Sequence, residues 1–267
     1  MNTKGIKEKQ RAERIGLTAY NKQGCLMKLI EYKSSSNITV KFLDKYGYER
    51  SAEWKEFNSG SIVNPYFPSV CGVGIIGTYI ISKNGKHDKE YVTWKHILSR
   101  CFNKKDKTKN ICYKDVTVCE EWLYYPNFYE WLHNQENFDK WANSKDWAID
   151  KDILIKGNKI YSPETCCLVP QNVNNLFTKN NRYRGNLPIG VTSKKNKYLA
   201  EIIYGNKNNV SKTTQYSYPT PEDAFYLGYK PYKEKRIKEI AQEEFDKGNI
   251  TKNCYDAMMN YEVEITD

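Results

Sequence analysis

The residues best equipped for chemistry in this chain are its cations. Between Thr178 and Lys238 stand thirteen Lys and Arg against four acids (Glu201, Glu222, Asp223 and Glu234), a surplus of nine in under a quarter of the chain. The full 267 residues carry a formal charge of +10, so nearly all of it is gathered there. Lysines 194, 195, 197, 207 and 212 are interleaved with Ser, Asn and Tyr, the pattern of a surface that attracts a polyanion while its rings pack. The expected chemistry is ion pairing with phosphate, which positions a nucleic acid without reading its bases.

Other reactive residue types point elsewhere less firmly. Eight Cys (25, 71, 101, 112, 119, 166, 167 and 254) include no Cys-x-x-Cys spacing, which argues against a structural zinc. The N-terminus is charged, without an apolar leader, and no run approaches the roughly 20 apolar residues that span a bilayer. An unsecreted, cytoplasmic protein with reduced thiols and no membrane partner is therefore expected. Of the three histidines, His87 falls in a polar loop, and His96 and His133 fall on helical stretches, as core or surface residues. Gly72-x-Gly74-x-x-Gly77 spells a dinucleotide pattern, but a Pro-rich stretch precedes it and Thr78 to Ser82 reads extended. The helix N-terminus that would hold a pyrophosphate is therefore not expected.

The elements that must position these residues fall into an α+β arrangement of three domains and a connector. Residues 1–64 predict a small β-barrel or meander, with strands over Cys25 to Tyr32 and Ile38 to Phe42 and a turn over Asp44 to Gly47. A Gly- and Pro-rich connector covers 65–87. In 88–180, Tyr91, Trp94, Ile97, Leu98 and Cys101 keep helical spacing, as do Phe128, Trp131 and Leu132 beyond Pro126. A strand over Trp147 to Leu154, a turn at Lys156 to Asn158, a second strand over Lys159 to Tyr161 and an Asn-bearing helix follow. In 181–267, strands over Ile189 to Thr192, Tyr198 to Tyr204 and Thr213 to Tyr218 precede a helix begun by Pro219-Thr220-Pro221-Glu222 and broken near Pro231. A last short helix covers Asn253 to Tyr261.

Ile189-Gly190-Val191, Lys197-Tyr198-Leu199-Ala200-Glu201-Ile202, Gly205-Asn206-Lys207 and Thr220-Pro221-Glu222-Asp223-Ala224-Phe225 together resemble the AP2-type DNA-binding domain over about sixty residues. That resemblance implies a three-stranded sheet laid in the major groove with a helix behind it. It places Lys194, Lys195, Lys197, Tyr198 and Glu201 toward double-stranded DNA, with Lys207 and Lys212 on phosphates. Between Gly185 and Arg236 the chain has neither Arg nor Trp, so backbone binding carries over better than base reading.

The segment from Cys119-Glu120-Glu121-Trp122 through Asp150-Lys151-Asp152-Ile153-Leu154, Gly157-Asn158-Lys159-Ile160-Tyr161-Ser162-Pro163-Glu164 and Val169-Pro170 resembles HNH (His-Me finger) homing endonucleases of bacteriophages. The resemblance implies a ββα finger in which Asp150 and Asn174, flanked by Asn172 and Asn175, hold one Mg²⁺. Lys151 stands where the family has its catalytic His, and Lys151 or Asp152 would lie near the attacking water. The two resemblances together imply a phage or mobile-element DNA-binding protein that nicks or cleaves DNA with magnesium. The alternative is a catalytically degenerate DNA-binding regulator or anti-defence factor on the same scaffold, its N-terminal domain meeting a host or phage protein.

Overall fold

The computed structural model describes residues 11–103, 114–178, 186–202 and 212–266, with backbone alone at 201–202 and 212–215. It is an α+β protein with several small sheets. Its described residues divide into two compact units, one within 1–106 and 120–129, the other within 107–119 and 130–267.

The first unit opens with an antiparallel meander of β1 (Thr18–Tyr20), β2 (Leu26–Ser34), β3 (Asn37–Phe42) and β4 (Glu49–Ala52), paired in chain order. Period-two alternation buries Ile38, Val40 and Phe42 of β3 against Met27, Leu29 and Tyr32 of β2. Phe57 of α1 (Trp54–Ser59) closes that core. Each such side chain contributes about 1.5–3 kcal/mol on burial. The expected turn is held by Asp44, whose Oδ1 accepts the N–H groups of Tyr46 and Gly47 at 2.9 and 3.0 Å.

Gly74, beyond it, has a packing reason. A Cβ on Gly74 would lie 2.4 Å from Leu98 Cδ1 and 2.8 Å from the Trp94 ring, so glycine is needed for close approach. Strands β5 (Ser82–Lys83) and β6 (Lys86–His87) form a hairpin and α2 (Lys89–Phe102) follows. Tyr91, Trp94, Ile97, Leu98 and Cys101 of α2 are buried, as their spacing predicts, and Trp94 Nε1 donates to the Trp122 carbonyl at 2.6 Å.

In the second unit, β7 (Thr117–Val118) comes first and α3 (Tyr125–His133) contributes from Glu130 onward. Then come α4 (Phe138–Asn143) and β8 (Trp147–Asp150), which ends four residues earlier than expected. The expected return strand, β9 (Ile160–Tyr161), pairs in parallel with β7 and not with β8. The strand antiparallel to β8 is β10 (Cys167–Pro170), with Asp150 opposite Cys167 and Trp147 opposite Pro170. Cys-Leu-Val-Pro is apolar at every position and buried at every position, a run whose periodicity does not distinguish strand from helix. Helix α5 (Gln171–Phe177) follows directly, so a strand-strand-helix order exists with a different second strand.

The last strands, β11 (Val191–Lys194), β12 (Lys197–Ile202) and β13 (Lys212–Tyr218), form an antiparallel sheet in chain order. Thr220 caps the helical segment behind it, its Oγ1 accepting the Asp223 N–H at 3.0 Å. The segment does not break at Pro231. Proline has no N–H to offer the carbonyl four residues back, so the preceding turn, Ala224–Tyr229, widens into a π-helix in which the Lys230 N–H reaches the Phe225 carbonyl. Helix α6 (Lys230–Asp246) continues without interruption, and α7 (Lys252–Met259) closes the unit.

Ile153, Cys167, Val169 and Val173 share one apolar cluster with Val191, Ala200, Phe225, Tyr229, Ile237 and Met258. The hairpin-and-helix element and the three-stranded sheet therefore have a common core. Gly190 sits at its edge with φ +69, where a Cβ would stand 2.0 Å from the Tyr229 ring. Gly190→Ala combines left-handed strain with overpacking and is expected to lower the unfolding free energy by about 2–4 kcal/mol. Urea denaturation checks this, with the midpoint falling at constant slope. A loss below about 0.5 kcal/mol would contradict the tight Gly190–Tyr229 packing.

Candidate nucleic-acid interface

The sheet has one covered face and one open face, and the register decides which residues occupy each. Val191 pairs with Ala200, Ser193 with Tyr198, and Tyr198 with Tyr218. Val191 and Ala200 are buried in the common core, and Tyr198 and Tyr218 pack against it. Gly228 of the π-helical turn comes so near that a Cβ there would be 2.7 Å from the Ala200 Cβ. The opposite face therefore carries Thr192 with Leu199 and Lys194 with Lys197.

This corrects one expected DNA-facing residue. Tyr198 alternates with Lys197 and lies on the helix-covered face, where its ring anchors the sheet. Lys194, Lys195 and Lys197 are exposed. Lys207 lies outside the described residues, as do the side chains of Glu201 and Lys212.

Lys194 and Lys197 face each other across a two-residue turn, Lys195-Asn196, whose residues have φ +50 and +58. Two left-handed residues define a type I′ turn, which favours Asn and Gly. A lysine there is strained by roughly 1–2 kcal/mol, and it adds a third cation to the tip. Sequence reading missed this turn because Lys-Asn lacks the usual Asn-Gly signature.

The other cations of the basic stretch are disposed differently. Lys230 pairs with Glu234 at 3.0 Å, Arg236 with Glu239 at 3.3 Å and Lys235 with Glu239 at 4.0 Å. Burial pulls the Lys233 ammonium down to a pKa of about 8 where it borders a small cavity with Phe177, Tyr229 and Tyr261. Lys194, Lys195, Lys197 and Lys238 are exposed with no ion pair among the described residues.

The strand-strand-helix element places its residues with similar definition. Asp150, 8% exposed, ends β8 by turning its carboxylate back on the chain: Oδ1 accepts the N–H groups of Asp152 at 2.7 Å and Ile153 at 2.9 Å. Burial raises its pKa above the ordinary aspartate value, partly offset by those two bonds. Lys151 is equally buried, and its Nζ donates to Asp152 Oδ1 at 2.5 Å and to the Asn158 carbonyl at 3.1 Å. Asn158 returns the contact, its Nδ2 donating to the Lys151 carbonyl at 2.7 Å. Lys151 and Asp152 are thus bonded to each other.

On α5, Asn172 Nδ2 donates to Glu244 Oε1 at 3.0 Å and Asn175 Oδ1 accepts from Gln171 at 2.9 Å. The Asn174 side chain and Asp150 Oδ2 have no hydrogen bond among the described residues. Mg²⁺ takes one or two protein oxygens and completes its shell with water and phosphate, and a carboxylate and an amide oxygen are donors of the kind it takes. Among the described residues no group of three or more His, Cys, Asp and Glu is gathered for a metal, and the seven described cysteines are free thiols. No described helix is long and apolar enough to cross a membrane. Comparison with family models, curated proteins and solved structures finds no match to this chain.

The Asp150 turn gives a pH prediction. A carboxyl whose folded pKa is raised binds its proton more tightly when folded, so its contribution to stability is complete below the unfolded pKa and is lost as pH rises through the folded value. Asp150→Asn keeps an oxygen for both N–H groups and is expected to match or exceed wild-type stability at neutral pH. That advantage shrinks as acid protonates Asp150. Asp150→Ala leaves two amides unsatisfied and is expected to lose about 1–3 kcal/mol. Urea titrations at neutral and acid pH check both, and an Asn variant as unstable as the Ala variant would contradict the assignment.

Proposed function

We propose that this chain is a DNA-binding protein of phage or mobile-element type, and that Lys194, Lys195 and Lys197 on the last sheet rest on the phosphates of duplex DNA. The observation that carries this reading is a hairpin tip with three exposed lysines that have no ion pair among the described residues, one of them held in a strained conformation. Its support is electrostatic: each phosphate neutralised releases condensed counterions, a gain available to lysine without base contacts. The AP2-like reading is supported by a three-stranded sheet with a helix packed behind it. Strands β8 and β10 with α5 supply an HNH-like element that grips DNA beside it.

A second reading, DNA nicking with Mg²⁺, is favoured by one observation: among the described residues Asn174 has no side-chain hydrogen bond, where its neighbours Asn172 and Asn175 are used. Asp150 Oδ2 and the Asn174 side chain would hold the ion, which when bound would polarise a phosphate. Against nicking stands the Lys151–Asp152 pair, since an ammonium on a carboxylate gives neither group freedom to take a proton from water.

Three measurements test these readings. Lys194→Ala, Lys195→Ala and Lys197→Ala together are expected to flatten the dependence of log K on log salt by about 0.9 for each lost phosphate contact, and an unchanged slope would reject this face. Lys195→Asn alone is expected to raise stability by about 1 kcal/mol through relief of turn strain while weakening DNA binding. In a supercoiled-plasmid assay with Mg²⁺ or Mn²⁺, binding without nicking is expected. Nicking that vanishes in both Asp150→Ala and Asn174→Ala would establish the enzyme instead.

A further inference from the structure

The pattern at the DNA-facing hairpin recurs in the other compact unit. Ser193-Lys194-Lys195-Asn196-Lys197-Tyr198 and Ser82-Lys83-Asn84-Gly85-Lys86-His87 share the order Ser, Lys, two turn residues, Lys, ring. Both are two-residue hairpins. Asn84 and Gly85 have φ +51 and +73, as Lys195 and Asn196 have +50 and +58. In each, the register sets two lysines directly opposite one another: Lys83 faces Lys86, and Lys194 faces Lys197.

Like charges opposite each other in an antiparallel pair are destabilising. Lys83 and Lys86 are exposed, and neither has an ion pair among the described residues. Asp88, the nearest acid in the chain, is the N-cap of α2, where the positive end of the helix attracts its charge. The base of the hairpin is fixed: the Asp88 N–H donates to the Ile81 carbonyl at 3.1 Å, and His87 contacts that carbonyl through Nδ1 and packs its ring 4.9 Å from Tyr91. A firm stem thus presents two cations whose mutual repulsion an anion between or beside them would relieve. An Asn-Gly turn needs no lysine on either flank, so the local fold does not call for this pair.

We infer that the Ser82–His87 hairpin is a second contact site for the phosphate backbone of duplex DNA, made by Lys83 and Lys86. This rests on the DNA-binding reading above and extends it to the first unit. Such a contact adds affinity without sequence preference.

The test is a fluorescence anisotropy titration of a labelled mixed-sequence duplex across a salt series. It uses the full chain, Lys83→Ala with Lys86→Ala, Lys83→Arg with Lys86→Arg, and the Lys194, Lys195, Lys197 triple alanine variant. The Lys83, Lys86 alanine pair is expected to lower the salt slope by about 1.8, about 0.9 for each phosphate contact, and the arginine pair to keep it. The melting temperature of the alanine pair is expected at or above that of the wild type, because a repulsion has been removed. A wild-type slope in the alanine pair, with a flattened slope in the triple variant, would overturn the second contact and leave the first standing. A wild type that ignores the duplex even at low salt would overturn both.

Discussion

The close approach of Gly228 to Ala200 is the constraint on which the second unit depends. A strand residue and a helical turn that leave no room for one more carbon fix the helix against one particular face of the sheet. Period-two alternation then settles the rest. Val191, Ala200, Tyr198 and Tyr218 must face the helix, and Lys194 and Lys197 must face away. A one-residue slip would bury lysines and expose the core, so the position of the cations follows from the packing of their apolar neighbours. The π-helical turn belongs to the same solution, since it lets the helix pass through Pro231 while keeping Gly228 and Tyr229 on the sheet.

Asp150 plays a comparable organising part in the hairpin-and-helix element. Its carboxylate captures the next two free amides, ends β8 and sends the chain into the bends around Lys151, whose own ammonium and carbonyl are then fastened to Asp152 and Asn158. A polar residue bound this way can define a fold without doing chemistry. The same hydrogen bonds that make the corner rigid occupy one of the two Asp150 carboxylate oxygens, Oδ1. The free donors, Asp150 Oδ2 and Asn174, are what remain after the fold has met its own requirements.

What could be read from the residues divides along physical lines. The meander, helix α2, the three strands of the last sheet and the capped helix behind it all carry strong periodicity or strong local signals, and these elements stand close to where the pattern predicts. The sequence pattern places the return strand at Lys159–Tyr161 because Cys-Leu-Val-Pro, apolar throughout, carries no period, whereas Ile160 and Tyr161 find a parallel partner more than forty residues earlier in the chain. Distant parallel pairing leaves no mark in a local window. Pro231 predicts a break where the π-turn stands, because proline signals disruption without specifying how the chain absorbs it. The family resemblance sets Tyr198 outward with its basic neighbours, whereas strict alternation with Lys197 puts it on the other face.

The two lysine hairpins bear on why such sequences persist against their own stability. Lys195 adopts a left-handed conformation that asparagine or glycine would hold with less strain, and Lys83–Lys86 and Lys194–Lys197 set like charges face to face. Each choice opposes folding, and neither improves the packing of a core. Selection removes destabilising residues only where they take a protein below the stability its function needs, so such residues persist where the margin allows or where another interaction compensates them. In the proposed DNA complex a polyanion supplies that compensation for all of them at once, because the repulsion that weakens the free hairpin becomes attraction when phosphate lies against it.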